Sequence, residues 1–98
     1  MAARIKETKL KVSNDIKELI RRTHPQLKGK LREALRMIIN DPNCGKALKE
    51  ELSGLRSLRI GKIRIIYALG ENNTIEIITI GPRKTIYEET FKLISGKK

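Results

Sequence analysis

The residues best suited to chemistry in this chain are Arg59, Arg64, Arg83 and Tyr87. Arginine donates paired hydrogen bonds from a planar fork and keeps its charge at any working pH, which suits phosphate oxygens. Several on one sheet surface would neutralise a nucleic-acid backbone and the extra charge of a phosphorus under attack. Each one read singly is better taken as a solvated strand residue; shared parity and the net charge bring the phosphate reading level with it. Tyr87 follows Arg83 by four residues in TIGPRKTIYEE, where an isoleucine-rich strand stops at Gly81-Pro82. A tyrosine there either anchors a strand-to-helix joint or completes a site. Other reactive chemistry is sparse. His24 is the sole histidine; it sits beside Pro25 at a helix start, lacks a second histidine for an acid–base pair and reads as structural. Cys44 lies in a turn with no histidine near it, and the Cys/His supply is too thin for zinc. Neither common glycine-rich phosphate loop occurs. Asp15, Asp41, Glu50 and Glu51 read as cap, turn or solvated residues, and Glu76 as a cross-strand partner for the surplus cations. No metal site and no cofactor is expected.

The 98 residues imply one domain spanning 1–98, with one modest core. Lys plus Arg is 22 against 11 acids, a net charge of +11. Such an excess points to a polyanionic partner, whether nucleic acid, ribosome, acidic protein or membrane surface; the plain alternative is a basic surface that serves solubility. No apolar run approaches the roughly 20 residues of a membrane span. MAARIKETKL has no apolar signal core, and a single cysteine cannot form an internal disulfide, so a reducing cytoplasm is expected.

Periodicity locates the elements that must position these residues. Residues 4–12 (RIKETKLKV) read as an edge strand blunted by lysines. Ser13 reads as an N-cap with Asp15 in the first turn, and Val12, Ile16, Leu19 and Ile20 predict a helix over about 14–22. Thr23 is expected to cap a second helix, with Gln26 in capping-box position and Pro25 in the first turn. Leu27, Leu31, Leu35 and Ile38 form its stripe, and Asp41-Pro42-Asn43 ends it near Asn40. Residues 41–54 are mixed, with a short turn between Gly45 and Gly54. Strands follow at 55–60, 62–69 and 74–80, joined closely enough for antiparallel hairpins. Residues 86–94 place Tyr87, Phe91 and Ile94 on one helical stripe. The order predicts an α+β fold: an N-terminal strand and a helical hairpin packed on one face of a small antiparallel sheet, then a short C-terminal helix.

Alternation along the strands sorts the side chains. If Leu58, Ile60, Ile63 and Ile65 meet the helices, Arg59 and Arg64 point away from them on neighbouring strands, and Arg83 emerges at the end of a third.

LRSLRIGKIRIIYAL, followed by a hairpin and ITIGPRKTIYEE, resembles the RelE/ParE toxin superfamily of bacterial and archaeal toxin–antitoxin systems. Arg59, Gly61, Arg64 and Tyr67 match its central Arg-x-Gly-x-x-Arg-x-x-Tyr signature, and the likeness covers nearly the whole chain. It implies a cytoplasmic toxin with a cognate antitoxin as partner. For RelE-like members it implies a ribosome-dependent endoribonuclease in which the 2′-hydroxyl of messenger RNA attacks the adjacent phosphate, with no metal required. Arg64, Arg83 and Tyr87 then match catalytic positions. Arg64 and Arg59 would hold the phosphate, Arg83 would act near the leaving oxygen, and Tyr87 would stack on a base or take the 2′-hydroxyl proton. Lys17, Arg21, Lys28, Lys30, Arg32 and Arg36 would dock ribosomal RNA, or form a solvated helix face. RelE-like enzymes usually carry further basic residues where Leu55 and Ser57 stand here. Arg56, Lys62 or Lys84 would then supply RNA-binding charge. The same resemblance admits a ParE-like DNA gyrase inhibitor, or a catalytically silent module that binds RNA or an antitoxin.

Overall fold

The computed structural model describes residues 9–82 and 85–95. Strand β1 (Lys9–Val12) leads into helices α1 (Asn14–Arg22) and α2 (Pro25–Asn40). A two-residue strand β2 (Lys46–Ala47) and a 3-10 turn (Glu50–Leu52) follow, then β3 (Leu55–Ile60), β4 (Ile63–Leu69), β5 (Thr74–Pro82) and α3 (Ile86–Ser95). Ser13 caps α1 as expected, its Oγ accepting from the Ile16 N–H at 3.3 Å. The cap of α2 is His24 and not Thr23. Pro25 favours the first helical position and forces the residue before it to be extended, so His24 must stand at the cap. Its Nδ1 accepts from the Gln26 N–H at 3.2 Å. Thr23 instead closes α1, donating its hydroxyl to the Leu19 carbonyl at 2.8 Å.

The strands form one sheet in the order β1-β5-β4-β3-β2. The pairs β2–β3, β3–β4 and β4–β5 are antiparallel, as the short loops require. β1 lies parallel to β5, so the whole sheet is mixed; a parallel pair needs a long crossover, which the intervening elements supply. Gly61 and Lys62 make the two-residue β3–β4 turn, and Gly61 takes the φ of +59° that favours glycine there. β2 was not legible in the sequence, because two residues show no alternation.

One irregularity determines what faces where. Ile66 pairs with Thr79 while the next residue, Tyr67, pairs with Ile77, so Ile78 is an extra, bulged residue. The bulge shifts the parity of β5. Ile75, Ile77 and Ile80 all reach the core, while Thr79 and Gly81 turn to the face of Arg64.

The core lies between the sheet and the α1/α2 hairpin, built on Ile16, Leu31, Ala34, Ile38, Ile65, Tyr67, Ile75, Ile77 and Ile80. Leu58, Ile60 and Ile63 pack against it, which is the parity the alternation predicted. Each buried isoleucine or leucine contributes about 1.5–3 kcal/mol of burial free energy. The tyrosine also carries a polar connection. Its hydroxyl donates to the Pro42 carbonyl at 2.7 Å and accepts from the Gly45 N–H at 2.9 Å. The 42–45 loop is thereby stitched to β4. Burial is the main reason that the Tyr67 hydroxyl is pushed up to about 12.

α3 lies on the opposite face of the sheet from the hairpin, so the helices do not all share one side. A side chain at Gly81, on the Arg64 face, would meet Ile86 Cδ1 at 2.8 Å and Glu89 Oε1 at 3.3 Å. Ile86 and Thr90 of α3 are fully buried, as is Ile66 on this face. The expected stripe of Tyr87, Phe91 and Ile94 is not what anchors the helix, since Phe91 and Ile94 are 43% and 45% exposed. The anchor is Ile86 with Thr90, one position earlier on the helix. Gly81→Ala is expected to cost about 1–3 kcal/mol by overpacking this contact, read as a lower denaturant midpoint with an unchanged slope.

Candidate functional site

The sheet face that carries α3 also carries Ser57, Arg59 and Arg64. Arg59 and Arg64 are directly opposite one another across β3 and β4. Like charges in that position repel, and no acidic side chain lies between them in the pairing. An arrangement of this kind becomes favourable when an anion sits against it.

Arg64 is half-buried, and its Nη1 donates to Ser57 Oγ at 3.0 Å. The Tyr87 hydroxyl donates to the same oxygen at 3.4 Å. The guanidinium carbon of Arg64 stands 5.5 Å from the centroid of the Tyr87 ring, within cation–π range. Ser57 itself is 2% exposed. A serine oxygen has two lone pairs, so these two donors fill its acceptor capacity. The result is a three-residue unit, Arg64–Ser57–Tyr87, drawn from β3, β4 and α3. Arg64 Nε is buried and has no hydrogen-bond partner among the described residues. A buried, unpaired guanidinium N–H is costly.

Arg59 is exposed, and its Nε donates to the Gly61 carbonyl at 3.2 Å, which holds it over the turn. Lys62 is exposed in the same turn. Arg56 is on the other face of β3, opposite Tyr67. Its Nη1 donates to the Gly45 carbonyl at 2.6 Å and reaches the Asn43 carbonyl at 3.5 Å. The structure therefore does not bring Arg56 to Arg64; it places that guanidinium on the loop that Tyr67 also holds. Arg83 and Lys84 lie outside the described residues. Leu55, of the same parity as Ser57, is half-buried on the Arg64 face.

The sequence pattern drew no role for Ser57 beyond the absence of a basic residue there. The signal was available: parity set Ser57 on the same face as Arg59. The link to Tyr87 was not, because those residues are separated by 30 positions. Among the described residues no group of three or more His, Cys, Asp or Glu side chains is placed to hold a metal ion. No helix among them is long and apolar enough to cross a membrane.

Comparison with known proteins agrees with this fold. The family model described as the ParE toxin of type II toxin–antitoxin systems, parDE, matches residues 7–87. Toxin RelE from Mycobacterium tuberculosis is 38% identical over 52 residues, which are 51% of this chain and 54% of that protein. The chain thus spans about half the length of the curated relative it matches. Among solved structures, the RelBE2 toxin–antitoxin complex from the same organism superposes with a TM-score of 0.68 at 23% identity, over 81% of this chain and 100% of that one. A mutant E. coli toxin RelE in the free state gives 0.72 at 15% identity, over 90% and 98%. At these identities the likeness establishes the fold.

Proposed function

We propose, since the chain belongs to the ParE toxin family of type II toxin–antitoxin systems, that it is a RelE-like toxin that cuts messenger RNA on the ribosome. The observation that carries this reading is the Arg64–Ser57–Tyr87 unit. It offers a phosphate a guanidinium held in place by Ser57, with an aromatic hydroxyl tied to the same serine. The 2′-hydroxyl of the RNA attacks the adjacent phosphorus, and the bond from phosphorus to the 5′-oxygen breaks. Arg64 holds the non-bridging oxygens, with Arg59 beside it, and stabilises the charge that grows there. Tyr87 stacks on a base or takes the 2′-hydroxyl proton. Arg83 is assigned to the leaving oxygen, and Lys62 and Lys84 to RNA contacts, on the resemblance alone. Free tyrosine and arginine have pKa values of about 10 and above 12, far from the pH at which acid–base catalysis is efficient. Positioning and electrostatics accordingly carry most of the rate, with the ribosome presenting the message in a bent form. An antitoxin with acidic segments is the expected protein partner, and the cations of α1 and α2 are the expected ribosomal contacts.

Primer extension on a message translated in an extract tests the reading. Wild-type protein is expected to produce cuts within the ribosomal A site, and Tyr87→Phe to slow them by about 10²-fold. An intact message in the presence of folded protein would remove the nuclease assignment. A second reading has its own support: the matching family model is described by ParE, and Leu55 and Ser57 bring no charge to the face. It is a gyrase inhibitor, and it predicts blocked DNA supercoiling with messenger RNA left whole. Salt-sensitive RNA binding without cleavage or gyrase inhibition would instead mark a silent binding module.

A further inference from the structure

Tyr87 belongs to a second feature besides the arginine unit. It forms one wall of a cavity of about 380 Å3 between β2, the 3-10 turn and α3, otherwise lined in part by Lys46, Lys49, Glu50, Glu51 and Leu52. That volume is within the roughly 300–1,000 Å3 of small-ligand sites. We infer that this cavity is a ribonucleotide subsite. It takes the nucleotide next to the phosphate held at Arg64, and it favours bases with an exocyclic amino group over uracil. The inference rests on the nuclease reading above and adds to it a determinant of where the message is cut.

Continuity is the first argument. The Tyr87 ring packs near the Arg64 guanidinium and its hydroxyl reaches Ser57, while the same residue borders the cavity. Tyr87 is thus the residue shared by the arginine unit and the cavity. The lining is the second argument. No ion pair among the described residues joins Lys46 or Lys49 to Glu50 or Glu51, whereas the pairs that do form are on α1 and α2. The cavity therefore offers ammonium donors and carboxylate acceptors that are not consumed by one another. Lysines suit a phosphate or ribose oxygen. Carboxylates accept hydrogen bonds and cannot donate them, so they pair with the amino groups of cytosine, adenine or guanine. Uracil offers a carboxylate one donor, its N3–H, which O2 and O4 flank as acceptors on both sides, so it meets a carboxylate less favourably than a base with an amino group. Backbone geometry agrees: Glu50 has φ +56°, the left-handed region that glutamate rarely adopts. Outliers of this kind collect at ligand clamps. Both glutamates are exposed, and the fold sets them beside Tyr87.

The test is an NMR titration of the full chain with tetraribonucleotides. Each carries a 2′-deoxy substitution at the attacking position so that it cannot be cut, and A, C, G or U at the neighbouring position. Amide shifts across 46–52 and at Tyr87 are expected. Binding should be roughly tenfold weaker with U than with the other bases. Glu51→Gln and Glu50→Gly should each shrink that difference. Glycine relieves the left-handed backbone at position 50, so a loss of discrimination in Glu50→Gly with undiminished thermal stability excludes misfolding as the cause. Absent binding, shifts that avoid 46–52, equal binding of U, or full discrimination in both variants would overturn the inference. Primer extension is scored separately. Selective oligonucleotide binding with no ribosomal cuts would retain the subsite and reject the nuclease; cuts without selectivity would do the reverse.

Discussion

Arg64→Ala is expected to lower messenger-RNA cleavage on translating ribosomes by about 10²–10³-fold, the usual effect of removing one preorganised donor from a developing oxyanion. The size of the effect follows from how the side chain is held. Arg64 is half-buried, fixed through Nη1 to Ser57, and close to the Tyr87 ring, so its position need not be organised when substrate arrives. The half-buried setting strengthens its interaction with charge relative to bulk solvent. Arg64→Lys is the informative companion. It keeps the charge and loses the planar fork, so it should recover binding of RNA while cleavage remains low. Stability should change little in either variant, because the residue is away from the α1/α2 core; thermal melts check this. Full cleavage by Arg64→Ala would show that the unit is structural and that the chemistry lies elsewhere.

Tyr67→Phe is expected to be the most damaging of the conservative substitutions for stability, by about 2–4 kcal/mol. The change deletes one oxygen and leaves the buried Gly45 N–H and the part-buried Pro42 carbonyl without their partner. Each such orphan costs about 1–3 kcal/mol. For a domain of this size, a loss of 1 kcal/mol already shifts the melting temperature by roughly 4–8 °C. Arg56 is also tied to Gly45, so Arg56→Ala should weaken the same loop, and the two effects should be non-additive in a double-mutant cycle. The hydroxyl has a pH signature as well. Its folded-state pKa, about 12, is raised above the ordinary value of 10. The folded state thus holds this proton more tightly. The associated stability is complete below pH about 10 and is lost as pH rises through about 12. Wild-type protein should lose stability across that window relative to Tyr67→Phe, as measured by urea midpoints. Equal pH profiles would show that the hydroxyl is not buried as described.

Most of the elements were legible because their residues repeat at the right intervals. The stripe of Leu27, Leu31, Leu35 and Ile38 and the alternation through LRSLRIGKIRIIYAL need no tertiary information to be read. Where reading failed, neighbours decided. His24 caps α2 because proline dictates the residue before it. Ile77-Ile78 looked like continuous strand and proved to hold the bulge, since only pairing with β4 shows which isoleucine is extra.

The sequence by itself determined which cations share a face. Strand parity is a property of the backbone, and it put Arg59 and Arg64 together; the fold then placed Arg56 on the other face, on the Gly45 carbonyl. It also carried the family, through Arg59, Gly61, Arg64 and Tyr67. Only the tertiary structure decided what completes the site. Ser57 became the common acceptor for Arg64 and Tyr87 because α3 returns across the sheet at Gly81, where a missing side chain lets Ile86 approach. Glu50 and Glu51 came to line a cavity beside that tyrosine for the same reason. Contacts between residues 30 positions apart depend on how closely two elements pack, and no periodicity along the chain encodes that distance.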